Sequence, residues 1–150
     1  MRYKCLVFDH DDTVVNSTAT IHYPSFLNYL AQYRPGMSCS LEKYFLRNFE
    51  PGFIPMCRED YGMTDADLDV EVVFWQEYVE KNIPAAYAGI REIMLRQKAE
   101  GGLLCVVSHS LEKNIRRDYA ANDIQEIERF MRQNSRYYFK TVEELDRFLG

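Results

Sequence analysis

Two short apolar runs, each ending in a cluster of polar residues, constrain the fold of this chain more than any other feature. Residues 3–8 end at the acidic cluster 9–12, and residues 103–107 follow two glycines and end at Ser-His-Ser over 108–110. Short runs rich in Val and Leu are typical of buried parallel strands. Because open α/β sheets bind ligands at the carboxyl ends of their strands, the two polar clusters predict one shared site. The sequence therefore predicts an α/β protein with a Rossmann-like parallel sheet core.

A long helical stretch separates the two predicted strands. Apolar spacing predicts helices over 19–33, 41–49 and about 53–60. Residues 64–67 have the pattern of a capping box, which predicts a helix that continues to about residue 81. The apolar face predicted for that helix consists of Leu68, Val72, Trp75 and Val79. We interpret residues 17–82 as a small α-helical cap domain, inserted into an α/β core domain made of residues 1–16 and 83–150.

The remaining helical patterns belong to the predicted core. One helix over 87–99 leads into the second strand, and two more follow over about 111–120 and 123–133. Residues 137–139 predict a third strand, and a capping box that begins at Thr141 predicts a last helix. Three strands are few for a doubly wound sheet, because much of its edge would remain unpaired.

Composition and charge exclude several classes of function. The 150 residues are 47% hydrophobic, enough for one core and a small additional unit, and the net charge is −5 with scattered basic residues. This pattern predicts no nucleic-acid partner, and no apolar run approaches the roughly 20 residues that cross a bilayer, so we expect no membrane association. The N-terminus shows no cleavage site for secretion, which predicts a cytoplasmic protein. Nothing in the pattern indicates an oligomeric state.

The four cysteines, Cys5, Cys39, Cys57 and Cys105, form no paired motif. In a reducing compartment they are most simply buried thiols, and Cys5 and Cys105 lie within the predicted strands. A zinc site or a disulfide is the alternative.

The sequence Asp9-x-Asp11-x-Thr13 at the end of the first apolar run carries the strongest indication of function. Two carboxylates on one tight turn repel each other, so their placement there beside a hydroxyl needs a compensating role. A bound cation would provide one, and so would a reaction that needs a nucleophile beside a proton donor. The alternative is a solvated acidic turn or a helix N-cap, in which Asp and Thr are ordinary residues.

Residues 4–15 resemble the first motif of phosphatases in the haloacid dehalogenase (HAD) superfamily. The resemblance implies that Asp9 is a nucleophile that forms an aspartyl-phosphate, and that Asp11 protonates the leaving group and later activates water. It also implies a Mg²⁺ ion held by the Asp9 carboxylate and the Asp11 main-chain carbonyl. A second carboxylate at position 11 points to a phosphatase, or to a phosphomutase of the same chemistry. Asp12 stands where Gly is common in the family, at a turn that Asp tolerates better than most residues.

The second polar cluster resembles the second motif of the same superfamily. The Ser108 hydroxyl and the following backbone N–H would bind phosphoryl oxygens, although Ser after a strand is also an ordinary N-cap. Thr13, His10 and His109 complete the candidate substrate-binding residues; for both imidazoles, plain turn residues are the alternative. An insertion directly after the first motif is the family's cap position, which implies a small phosphorylated metabolite as substrate.

His22 and the basic residues that follow Ser110 are less clearly assigned by the sequence. His22 could lie at the interface of cap and core or on an exposed helix face. Lys113, Arg116 and Arg117 predict a solvated helix face, with contact between one of them and phosphate as the alternative.

The resemblance is interrupted in the second half of the chain. A basic residue that stabilises the phosphoryl charge and an acidic pair that completes the metal site are the family's third and fourth motifs, and no apolar strand ending in an acidic pair follows Ser110. We infer that a segment holding two strands is absent between about Tyr119 and Asp123. A break in the chain would place neighbouring Cα atoms there much farther apart than the usual 3.8 Å. The alternative is a true deletion, which would leave a catalytically incomplete, metal- or phosphate-binding remnant.

Overall fold

A computed structural model describes residues 3–134 and residue 147 of the chain. The predicted third strand over 137–139 lies outside the described residues, and so does the start of the predicted last helix at Thr141. No helix within the described part is long and apolar enough to cross a membrane.

The described part of the sheet consists of two parallel strands. Strand β1 (Cys5–Phe8) pairs with β2 (Leu103–Val106) in the register Cys5 to Leu103 through Phe8 to Val106. Both strands are four residues long and run in the same direction, so their carboxyl ends meet at one edge of the sheet. The predicted adjacency of the two strands, and of the polar clusters that follow them, is confirmed.

One face of this sheet is exposed, which corrects the expectation of strands buried on both faces. Val7 is 63% exposed to solvent and Leu103 is 47% exposed, whereas Leu104 on the opposite face is buried. The thiols of Cys5 and Cys105 alternate onto the exposed face, so these two cysteines are not buried as expected. Cys39 and Cys57 are buried, and all four thiols are free.

The segment between the strands is helical, with bounds close to those predicted. A π-helical turn (Thr18–His22) runs directly into α1 (Tyr23–Tyr33), and α2 (Leu41–Phe49) and α3 (Phe53–Tyr61) follow. Helix α4 (Asp65–Lys81) begins with the predicted capping box, in which the hydroxyl of Thr64 accepts from the backbone N–H of Asp67 and the Asp67 carboxylate accepts from that of Thr64. These satisfied N-terminal donors explain why the helix begins at that residue.

The buried apolar residues form two separate hydrophobic clusters, one in the predicted cap and one in the predicted α/β core. The first lies within α1 to α4 and is rich in aromatic residues, among them Phe26, Tyr29, Tyr44 and Tyr61. The second joins Val14 and Val15 after β1 to Leu104 of β2 and to residues of the later helices. We propose on this basis the division into a cap over residues 17–82 and an α/β core.

The inward face of α4 differs from the predicted apolar face. Val72 retains 47% of its exposure, while Glu71 beside it retains only 4%. The helix has turned so that the Glu71 carboxyl, together with Val79, faces inward. A charged residue on a helix normally faces solvent, which is why the predicted apolar face does not include Glu71.

Helices α5 (Ile90–Ala99), α6 (Glu112–Ala121) and α7 (Gln125–Asn134) complete the described core. They cover the buried face of the sheet, and Met94, Tyr119, Ile124 and Ile127 are almost completely enclosed there. The predicted helices over 87–99, 111–120 and 123–133 are confirmed apart from shifts of up to three residues at their ends.

The predicted break between about Tyr119 and Asp123 is wrong. The chain passes from α6 to α7 through a closed turn, in which the N–H of Asn122 donates to the Asp118 carbonyl at 3.1 Å and the N–H of Ile124 donates to the Tyr119 carbonyl at 2.8 Å. Asp123 adopts a left-handed conformation with φ of 58°, a common way to end a helix. The backbone is therefore continuous here, and α6 is followed directly by α7, without the two strands that the family resemblance implies at this point.

Candidate active site at the carboxyl ends of the strands

The turn after β1 places Asp9 at the exposed edge of the sheet. Asp9 is exposed, and its Oδ1 accepts a hydrogen bond of 2.7 Å from the backbone N–H of His10. Asp12 takes a left-handed conformation with φ of 54°, consistent with the turn that the sequence predicts there. The following residues, Val14 and Val15, are fully buried and anchor the turn in the core. Thr13, a predicted substrate-binding residue, lies between Asp12 and Val14 and is exposed.

Asp11 lies where the ends of both strands meet. Its Oδ2 accepts a hydrogen bond from the Ser110 hydroxyl, and its Oδ1 lies 3.5 Å from Nε2 of His22. Burial alone would raise the pKa of the Asp11 carboxyl, but the nearby polar groups of His22, Ser110 and Ser17 outweigh it and hold this pKa well below its usual range. Asp11 is therefore an ionised, hydrogen-bonded acceptor in this arrangement.

His22 connects Asp11 to the cap. The indole N–H of Trp75 in α4 donates to Nδ1 of His22 at 2.9 Å, and the two rings lie 5.9 Å apart. Since Nδ1 accepts, the proton of the neutral ring lies on Nε2, the atom that faces Asp11. Of the two positions that the sequence left open for His22, the structure excludes the exposed helix face and places His22 between the turn after β1 and helix α4. The π-helical turn that carries His22 is of a type frequently found at functional sites.

His10 contributes its backbone, not its imidazole, to the edge of the sheet. Its side chain is 1% exposed, and its Nε2 lies 3.2 Å from Oδ2 of Asp118 in α6. The other Asp118 oxygen accepts two hydrogen bonds from Arg117. The imidazole of His10 thus attaches the turn to α6, while the backbone N–H of His10 donates to the Asp9 carboxylate.

The end of β2 supplies three polar residues, two of which the sequence predicts as site residues. The hydroxyl of Ser108 accepts from the backbone N–H of Ser110 at 3.0 Å. His109 lines a small cavity together with Asp11 and Ser110. Ser110, the residue that contacts Asp11, was not predicted; its position in the same cluster was the only signal in the sequence.

The three basic side chains of α6 are engaged away from this edge. Lys113 pairs with Glu80 at 3.0 Å, which joins α6 to the cap helix α4. Arg116 pairs with Glu112 at 2.6 Å, one turn earlier on the same helix. Arg117 holds Asp118 and the Val79 carbonyl. Within α6, then, no basic side chain is shown in contact with the carboxylates of the turn.

The oxygens of the turn suit a hard divalent cation but provide only part of a coordination shell. Mg²⁺ prefers carboxylate, carbonyl and water oxygens, and the Asp9 carboxylate with the Asp11 carbonyl fits that preference. In the described part of the chain, no group of three or more acidic, His or Cys side chains gathers as a metal site. The residues present could hold Mg²⁺ only with water or substrate oxygens at most positions.

Two cavities adjoin the turn after β1 and share a wall. The smaller, of about 210 Å³, is lined by Asp11, His109 and Ser110, and the larger, of about 520 Å³, lies toward the cap. His22 and Trp75 line both. Glu71 lines the larger cavity, and burial raises the pKa of its carboxyl to about 7, while the nearby His22 opposes the rise.

Comparisons with known proteins yielded matches among solved structures alone. No protein-family model matches the chain, and no curated protein sequence matches it significantly. A provisional phosphatase from Clostridium difficile superposes with a TM-score of 0.70 at 18% identity, covering 99% of this chain and 70% of that protein. A predicted phosphoglycolate phosphatase from Haemophilus somnus 129PT has a TM-score of 0.64 at 20% identity, covering 85% of this chain and 60% of that protein.

A third match places a phosphate-bound enzyme on the same fold. A HAD family hydrolase from Deinococcus radiodurans R1, with bound phosphate and sodium, has a TM-score of 0.60 at 18% identity, covering 83% of this chain and 55% of that protein. The chain therefore spans 55% to 70% of the length of these three proteins. Identities this low show a shared architecture. The chain has the Rossmann-like α/β fold of the HAD-type phosphatases and hydrolases.

Proposed function

We propose that this chain is a Mg²⁺-dependent phosphohydrolase that acts on a small phosphorylated metabolite through an aspartyl-phosphate on Asp9. The observation that carries the proposal is the meeting of two strand ends: an exposed carboxylate follows β1, and a second carboxylate is hydrogen-bonded to a serine that follows β2. Such an edge of a parallel sheet is where α/β proteins bind their ligands. The HAD fold, also found in a hydrolase with phosphate bound, supports the same chemistry.

In the proposed reaction, an Asp9 carboxylate oxygen attacks phosphorus and the bond to the leaving alcohol oxygen breaks. Asp11 gives a proton to that oxygen. In the second half-reaction Asp11 takes a proton from a water molecule that attacks phosphorus, the bond between phosphorus and the Asp9 oxygen breaks, and inorganic phosphate leaves with the Asp9 carboxylate restored. The second step requires Asp11 as a carboxylate, the form that its hydrogen bond from Ser110 stabilises. For the first step, a phosphate dianion beside Asp11 would raise the pKa of its carboxyl, because a neighbouring like charge disfavours ionisation.

The remaining predicted residues would bind the phosphoryl group. The Ser108 hydroxyl and the N–H groups that follow it, at the start of α6, offer donors to phosphoryl oxygens, and the helix N-terminus favours the negative charge. The Thr13 hydroxyl and the His109 ring are the further candidate donors from the two polar clusters. When bound, Mg²⁺ would neutralise phosphate charge, held by the Asp9 carboxylate and the Asp11 carbonyl.

Substitution of Asp9 by Asn tests this proposal. Asn retains the shape but is not a nucleophile, so hydrolysis of p-nitrophenyl phosphate in the presence of Mg²⁺ should be abolished, and no phosphoenzyme should be trapped by acid quenching. Asp69→Asn on the exposed face of α4 is the matched control and should keep wild-type turnover. Retention of a tenth or more of the wild-type rate by Asp9→Asn would exclude Asp9 as the attacking group.

A second candidate function is phosphate binding without turnover. The closed turn between α6 and α7 and the engagement of all three basic residues of α6 favour it, because loss of charge stabilisation lowers transition-state binding by several kcal/mol. Calorimetric binding of inorganic phosphate to wild type, together with no release of p-nitrophenol, would select this function over hydrolysis.

A further inference from the structure

The larger cavity, toward the cap, has an unusual combination of lining groups. Five aromatic side chains surround it: Tyr44, Phe45, Phe49, Phe53 and Trp75. Two carboxylates, those of Asp12 and Glu71, complete its charged lining, and none of the described residues that line it is Lys or Arg. The cavity is therefore aromatic and electronegative.

Glu71 is the group in this cavity that most needs a partner. It is only 4% exposed, and its carboxyl takes part in no hydrogen bond or ion pair among the described residues. A buried carboxylate without a partner is unfavourable by several kcal/mol or takes up a proton, and the raised pKa of Glu71 reflects that burial. A cation brought into the cavity would remove this penalty.

Aromatic walls identify the kind of cation that the cavity suits. The faces of Trp, Tyr and Phe attract ammonium groups, both primary and quaternary, when the cation is held away from water. A metal ion would instead need several oxygen ligands, which aromatic rings do not provide. The position of the cavity adds a second restriction, because its shared wall of His22 and Trp75 places it next to the smaller cavity that contains Asp11 and Ser110.

We propose that the chain selects phosphate esters of amino alcohols, with the ammonium group in the aromatic cavity paired to Glu71 and the phosphate at the strand ends. The proposal for the phosphate end rests on the proposed function. The pairing with Glu71 rests on the cavity alone. Glu71, carried by α4, is then a specificity-determining residue that binds the ammonium end of the substrate.

Two pairs of esters that differ only in charge test the proposal. Phosphocholine is matched in shape by 3,3-dimethylbutyl phosphate, and phosphoethanolamine is matched by propyl phosphate. Binding of each ester to wild type, Glu71→Gln and Glu77→Gln would be measured by calorimetry, and hydrolysis by phosphate release. Glu77, exposed on the same helix, is the matched control. Because Glu71→Gln removes a buried ionisable group, circular dichroism would verify the fold of each variant.

We expect wild type and Glu77→Gln to bind at least one cationic ester roughly tenfold more tightly than its neutral counterpart. In Glu71→Gln this ratio should fall toward one. Equal affinity for charged and neutral esters in wild type, or a ratio unchanged by Glu71→Gln, would overturn the proposal.

Free alcohols separate the two ends of the site. Choline and 3,3-dimethylbutanol carry no phosphate, so a preference for choline that depends on Glu71 would support the cation site even if neither ester were hydrolysed. That combination would reject the phosphohydrolase function while retaining the ammonium site. Hydrolysis of both esters at equal rates, without a preference for choline, would do the reverse.

Discussion

The Ser110 hydroxyl donates a hydrogen bond to Oδ2 of Asp11 and so joins the ends of the two parallel strands. Ser108, two residues earlier, uses its own hydroxyl to accept from the N–H of Ser110 and thereby shapes the same loop. The two serines have different partners and should have different kinetic roles. Ser110 acts on the proton-transfer group, whereas Ser108 is the proposed phosphate ligand.

Replacing each serine by Ala should therefore affect different kinetic constants. Ser110→Ala removes the hydrogen bond that orients the Asp11 carboxyl group for proton transfer, and we expect kcat to fall by about tenfold with little change in KM. Ser108→Ala should mainly raise KM for a phosphate ester. Steady-state kinetics with p-nitrophenyl phosphate would check both, with Ser38→Ala at an exposed position as the control. Identical effects of the two substitutions on kcat and KM would contradict the distinction.

Glu71 should make the stability of the protein depend on pH. The pKa of its carboxyl is raised from 4.5 to about 7, so between these values the folded state holds a proton that the unfolded state has released. The contribution of Glu71 is thus most favourable below about pH 4.5 and is lost as pH rises through about 7, by up to about 3 kcal/mol. Glu71→Gln does not titrate.

Urea unfolding at pH 5 and pH 8 would measure this contribution as the difference between wild type and Glu71→Gln. The free energy of unfolding of wild type should decrease relative to the variant on going to pH 8. A difference that stays constant over this range, or one that changes with the opposite sign, would mean that Glu71 is not buried as a carboxylic acid.

Asn122 should be important for the turn that connects α6 and α7. Its side-chain Nδ2 donates to the Pro84 carbonyl at 3.0 Å, and its Oδ1 accepts from the N–H of Ala86 at 2.7 Å. Asn122→Ala would leave these backbone groups without their partner, and we expect a loss of about 2 kcal/mol in the free energy of unfolding. Asp123→Gly, at the neighbouring left-handed position, should change stability by less than about 0.5 kcal/mol or increase it. Equal stability of wild type and Asn122→Ala would show that this turn does not hold α6 in place.

The local pattern of the sequence predicted this turn region better than the family resemblance did. Caps and apolar spacing placed α2 and α4 at their observed bounds, and the helices on either side of Asn122 were predicted within a few residues. The expected break came from the absence of two motifs, which is information about relatives and not about chain geometry. Asn and Asp are common where helices end, so Asn122 and Asp123 themselves indicate a turn between the two helices.

The features that the sequence did not reveal depend on contacts between distant residues. His22 is 53 residues from Trp75 and meets it only because α4 folds back over the π-helical turn. The contact of Ser110 with Asp11 spans 99 residues. The burial of Glu71 follows from the rotation of α4 against its neighbours, which a helical pattern that counts only apolar residues does not contain.

The exposed face of the sheet divides the four thiols into two chemical classes. Cys5 and Cys105 are open to solvent on that face, whereas Cys39 and Cys57 are enclosed within the cap cluster, where burial raises the pKa of Cys57 to about 12. A maleimide reagent should thus modify two thiols quickly and the other two only when the cap opens, since reactivity follows access and thiolate content. Intact-mass spectrometry over time then distinguishes modification of the exposed sheet thiols from modification of Cys39 and Cys57, which requires opening of the cap. A ligand that tightens the cap would slow only the modification of Cys39 and Cys57.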